Sequence, residues 1–127
     1  MKKYKRSNIF LGLHLRGGGV PTYPMTIQIL PPEECQTMTE VRAGVDALDQ
    51  ALLRLIAKRY GYMDAAARIK NDRNVVRDEA RKTEVLDNVE AGAAKLGLPA
   101  AELRAIWDRL VESSIAYELA EWDARRK

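Results

Sequence analysis

The chain has 127 residues, 46% of them hydrophobic and 31% charged, a balance that fits a globular domain with a core and excludes a disordered chain. A net charge of +3 permits an anionic ligand but does not demand nucleic acid. One cysteine excludes an internal disulfide, and because the one histidine, His14, sits in a stretch expected to be disordered, a His/Cys metal cluster, a Ser-His-Asp triad and a Cys-His pair are excluded too.

Residues 1–36 hold four of the five prolines and four of the eight glycines, so they read as an irregular extension or leader ahead of a helical domain at 37–127. MKKYKRSNIFLGLHLRGGG imitates a secretory signal in placing basic residues before an apolar stretch. That stretch is short, contains His14 and meets Arg16 with no A-x-A site. An unstructured extension is the simpler expectation, and Met25 would make a plausible first residue. The run RGGGVP (16–21) lacks the strand-to-helix context of a phosphate loop and reads as linker. No apolar run of about 18 residues exists to span a membrane. The lone Cys35 fits a reducing compartment, and a cytoplasmic protein is expected.

Thr37 opens TMTE, a capping box with Thr37 as N-cap and Glu40 three residues on. A helix is expected from there to about Asn71, roughly 50 Å at 1.5 Å per residue. Val41, Val45, Leu48, Leu52, Leu55, Met63 and Ala66 recur at spacings of three and four, apart from one gap of eight that holds Arg59, and form one apolar stripe. NDRNVVRD (71–78) interrupts. Asp78 is a good N-cap for a second helix over about 79–96, carrying Val85, Leu86, Val89 and Leu96. GLP (97–99) is a stop followed by a start. A third helix is expected from about Ala100 to Ala124, with Leu103, Ile106, Trp107, Leu110 and Tyr117 on one side. Its basic end, ARRK, suits the helix dipole. The fold class is therefore all-α: a three-helix chain with a long first helix. A helix of that length projects beyond a domain whose expected radius of gyration is about 13–14 Å. Its stripe needs a second surface, and another copy of the chain supplies one, so a homodimer is expected on packing grounds.

Several polar groups stand where apolar ones belong. Arg59 and Lys70 lie within about 20° of each other and of the stripe's centre at 100° per residue. Arg81 and Lys82 flank the Val85–Val89 line, and Ser114 and Glu118 continue the Trp107–Leu110 face. A single such cation would be read as a side chain snorkelling at the bundle's edge or pairing with a carboxylate. The repetition points instead to a pocket for a small polyanion, since buried cations need compensation and Arg presents a planar fork to a carboxylate. Arg42 is 28 residues from Lys70, roughly 42 Å along a straight helix, so it can share that pocket only from an antiparallel partner chain. A helical adaptor or nucleic-acid-binding dimer would place its cations on an exposed face, which is not where these lie.

VRAGVDALDQALLRLIAKRYGYMDAAARIK, VRDEAR and LVESSIAYE together resemble the all-helical chorismate mutases and the related isochorismate-pyruvate lyases. The resemblance spans about 39–122, and its most specific signal is the ordered set Arg42, Arg59, Lys70 and VRDxxR (76–81). PPEECQTMTEVR looks like the leader common in the lyase-like branch. The resemblance implies a chorismate mutase type II-like, intertwined homodimer whose long first helices cross between subunits.

It also implies roles. Arg42 matches the arginine that reaches into the partner's site and binds a substrate carboxylate, and Arg59 the one that clamps the other carboxylate. Lys70 matches the lysine that contacts a carboxylate and the enolpyruvyl ether oxygen. Asp78 and Arg81 match a polar pair near the substrate hydroxyl, and Ser114 a carboxylate-binding serine. Lys82 stands where many mutases have a glutamate that accepts from the ring hydroxyl. Glu118 stands where many have a glutamine, and it must be protonated to donate to the ether oxygen, so a raised pKa is expected there. The implied reaction, chorismate to prephenate, needs no metal or cofactor. Cleavage of isochorismate to salicylate and pyruvate in the same pocket is the alternative.

Overall fold

The computed structural model describes residues 29–127. Much of the expected N-terminal extension, with His14 and RGGGVP, therefore lies outside the described residues. The element order is a 3-10 turn at Pro32–Glu34, helix α1 at Met38–Ile69, a second 3-10 turn at Arg73–Val75, helix α2 at Glu79–Lys95 and helix α3 at Ala100–Arg125. All described regular structure is helical. None of these helices is long and apolar enough to cross a membrane. The chain divides into two units inside α1, between Arg54 and Leu55.

In the first unit the capping box forms. Thr37 Oγ1 accepts from the Glu40 backbone N–H at 3.2 Å, while the Glu40 carboxylate accepts from Thr37 Oγ1 at 2.9 Å and from the Gln36 N–H at 3.3 Å. Two donors ahead of α1 are thus satisfied, which fixes its start. The apolar stripe of this unit is open to solvent, with Leu48 60% and Leu52 52% exposed.

The second unit contains the end of α1, both remaining helices and the loop between α1 and α2. Helix α1 ends at Ile69, two residues before the expected boundary. The cause is local: Asp72 Oδ1 captures the Asn74 N–H at 2.9 Å, a side-chain-to-backbone bond that competes with continuation of the helix. Asp78 then caps α2 as expected, accepting from the Arg81 N–H at 2.9 Å. The α2 end is a Schellman turn, with Leu98 N–H bonded to Ala93 O, Gly97 N–H bonded to Ala94 O, and Gly97 at φ +71°. A residue with a Cβ would be strained at that φ.

Helices α2 and α3 run antiparallel and pack closely. Val76, Leu86, Val111 and Ile115 form the buried core, with Val85, Trp107, Leu119 and Trp122 against it. Two of the expected apolar faces need correction. On α3 the buried line is Val111, Ser114, Ile115 and Glu118, and Ile106 is exposed. On α2, Leu96 is exposed because it is the C-cap, where the chain has already left the helical path. At the rim, Arg104 pairs with Asp87 and Glu90, and Lys82 with Asp108 and Glu112. These contacts hold the two helices in register around the core.

Candidate active site

Helix α3 meets the C-terminal part of α1 through a seam of long polar side chains, along which the two helices run parallel. Arg59 donates to Ser114 Oγ, and Ser114 in turn donates to the Leu110 carbonyl one turn back. Tyr60 and Ser113 share a hydroxyl hydrogen bond of 2.6 Å. Tyr117 donates to Asp64 at 2.8 Å, and that accepting carboxylate pushes the phenol's pKa upward. The rings of Tyr60 and Tyr117 meet edge to face at 5.0 Å.

Lys70 and Glu118 sit further along. Lys70 Nζ lies 2.7 Å from Glu118 Oε1 and donates to the Val76 carbonyl at 3.3 Å. The Lys70–Glu118 separation is that of a charge-assisted ion pair, and among the described residues the buried Oε1 has no second polar partner. That oxygen keeps a lone pair free for a further bond. Glu118 and Ser114 are one turn apart on one face of α3, and both are buried. They are within reach of Arg59 and Lys70 because Lys70, the first residue past α1, still continues the helical path and lies on the same side as Arg59, about three turns on. Among the described residues, the half-buried Arg59 guanidinium has a neutral hydroxyl and no carboxylate beside it.

Arg59, Lys70, Ser114 and Glu118 therefore form one constellation, and other expected positions do not join it. Arg42 lies in the first unit, where it is exposed. Asp78 serves as the α2 cap, and the exposed Arg81 pairs with Glu84 at 3.1 Å, one turn on. Lys82 is held between Asp108 at 2.9 Å and Glu112 at 2.7 Å. Hydrogen bonding to Glu112 and then Asp108 raises its pKa. Asp78, Arg81 and Lys82 make no hydrogen bond to the four seam residues.

Sequence reasoning missed Glu112, which binds the loop before α2 to α3. Arg77 reaches Glu112 with two parallel bonds at 3.0 and 2.7 Å, and Lys82 adds a third. Arg77, then Lys82, pulls the Glu112 carboxyl down to about 2. The available signal was the i, i+4 pair Asp108 and Glu112, aligned on the side of α3 that faces α2.

An ammonium beside a buried carboxyl, with an arginine and a serine one turn away along α3, can grip a small dianion and place hydrogen-bond donors along it. Among the described residues no histidine or cysteine takes part. Comparison with known proteins identifies the family. Residues 41–119 match the model of the family described as chorismate mutase type II. The chain is also 23% identical over 95 residues to a Pseudomonas aeruginosa protein named isochorismate pyruvate lyase, an alignment covering 75% of this chain and 94% of the relative. The family match covers most of the chain and includes the whole constellation, and the protein belongs to the chorismate mutase type II family.

Proposed function

We propose that the chain is a chorismate mutase, converting chorismate to prephenate by a one-step [3,3] rearrangement. The observation that carries this reading is the buried Glu118 paired with Lys70 at 2.7 Å, one turn from the Arg59–Ser114 pair. Such a rearrangement requires no nucleophile. It requires that the enolpyruvyl arm be held over the ring and that charge building on the ether oxygen be stabilised as its C–O bond breaks. Arg59 and Ser114 hold one carboxylate, Lys70 meets the other carboxylate and the ether oxygen, and protonated Glu118 donates to that oxygen.

In this reading Arg42 enters the site from a second copy of the chain. The open stripe Val41, Val45, Leu48 and Leu52 supports an interface between copies. Asp78 and Arg81 contact the substrate hydroxyl from the start of α2. Lys82 does so only after leaving Asp108 and Glu112.

Isochorismate cleavage to salicylate and pyruvate is the second reading, favoured by the name of the Pseudomonas aeruginosa relative. The lysine at position 82 also favours it, because an ammonium cannot accept from a ring hydroxyl. Incubation with chorismate and, separately, with isochorismate tests both. Loss of chorismate with formation of prephenate supports the mutase. Salicylate fluorescence from isochorismate alone replaces it with the lyase.

A further inference from the structure

The end of α3 holds the residue from which Lys70 departs. Lys70 is the first residue past α1: its N–H still bonds to Ala66 O at 2.9 Å, but its own carbonyl has no helical partner. Two donors take that carbonyl, Trp122 Nε1 of α3 at 3.0 Å and Arg126, the C-cap just past α3, at 2.6 Å. Arg126 also reaches Ala67 O, another carbonyl of the last turn, at 3.0 Å, and its guanidinium stacks 4.1 Å above the Trp122 ring. Between them, Asp123 binds Arg73 of the following turn with bonds of 2.9 and 3.2 Å. One face of the α3 terminus thus ties down the chain on both sides of Lys70.

We propose that Trp122 and Arg126 are positioning residues that aim the Lys70 ammonium by clamping its carbonyl. This rests on the reading of Lys70 as the residue that meets the substrate's ether oxygen. A helix end without such partners frays, and a frayed Lys70 keeps its charge but loses its direction. Charge alone still attracts a dianion, whereas directed donation acts in the transition state. The clamp therefore acts on kcat more than on KM. Its chemistry is specific: a lysine at 126 keeps the positive charge but cannot span two carbonyls with a planar fork.

Two readouts on the intact protein test the clamp, using Trp122→Phe, Arg126→Ala and Arg126→Lys, with Arg125→Ala as an exposed neighbouring control. In the first, amide hydrogen exchange over residues 67–71 rises about 10-fold in the Arg126 variants, with α2 and the melting temperature unchanged, as expected for opening of a terminal turn alone. In the second, kcat falls about 10-fold with KM within about 3-fold, because misplacement of a donor by about 1 Å costs up to 100-fold in rate. Arg126→Lys fails to rescue either readout, Trp122→Phe shows a smaller version of both, and Arg125→Ala matches wild type. Unchanged exchange in Arg126→Ala overturns the clamp whatever the activity does. Raised exchange with unchanged kcat overturns the positioning role. If the wild-type chain acts on neither chorismate nor isochorismate, the proposed reaction fails, and exchange alone decides whether the clamp exists.

Discussion

Lys70 Nζ and Glu118 Oε1 stand 2.7 Å apart at the wall of the constellation, and the oxygen has no hydrogen bond to spend its second lone pair on. The pair is electrostatically matched but not saturated, which is the condition under which a third group can enter. Removing the ammonium leaves a buried carboxylate alone and takes away a preorganised donor. Lys70→Ala is expected to lose at least about 100-fold in kcat, in line with the loss of one such donor, while remaining folded by circular dichroism. A near-wild-type rate would sink the assignment.

Glu118 can only accept when ionised, and the proposed mechanism asks it to donate. Glu118→Gln, which donates without needing to be protonated, should therefore keep kcat within about 3-fold of wild type or raise it, whereas Glu118→Ala should lose about 100-fold. An unchanged kcat in Glu118→Ala would show that Glu118 supplies no donor to the ether oxygen.

Arg42 is expected to complete the site of a second copy. Sedimentation should give twice the 14.3 kDa chain mass. Inactive Arg42→Ala and Lys70→Ala chains, mixed after unfolding and refolded together, should regain activity, because each hybrid dimer contains one intact site. No recovery, with hybrid formation verified by mass spectrometry, counts against donation between chains.

Glu112 links the loop before α2 to α3, and its folded carboxyl is held at about 2 against an ordinary 4.5, through Arg77 first and Lys82 second. A depressed carboxyl stabilises the fold above its ordinary value, and that contribution fades as pH falls from about 4.5 toward 2. In urea titrations the midpoint gap between wild type and Glu112→Gln should be widest above pH 5 and should close toward pH 2. A gap independent of pH would contradict the linkage.

Asp78 caps α2 through the Arg81 N–H. Asp78→Ala should cost about 1 kcal/mol in urea unfolding, the usual loss for such a cap. Asp78→Asn, which retains an acceptor, should recover most of it. Loss of activity in Asp78→Asn at full stability would separate a substrate contact from the capping role.

The sequence made the helices legible because their signals are local. Thr37, Asp78 and Gly97 act within a few residues of themselves, and each of their turns forms as written. The pairings within the site were legible only in part. Helical spacing placed Ser114 and Glu118 on one face and Arg59 and Lys70 on another, and the structure brings those faces together. Spacing could not reveal that Lys82 turns toward Asp108 and Glu112, because that choice depends on how α2 is rotated against α3. Trp122 and Arg126 were missed for a similar reason. Their partners are backbone carbonyls more than 50 residues away, and carbonyls carry no residue-type signature. The α1 end shows the limit of periodicity from the other side. Two residues of expected helix are lost to a single aspartate hydrogen bond.

The polar seam between α1 and α3 also divides mechanical labour within the second unit. Apolar packing has no angular requirement, whereas hydroxyl bonds of 2.6 and 2.8 Å fix both distance and direction. Tyr60–Ser113 and Tyr117–Asp64 therefore act as alignment pins that set the register of α3 along the end of α1. Because Ser114 and Glu118 each sit one residue beyond a pinned position, that register also sets where they stand opposite Arg59 and Lys70.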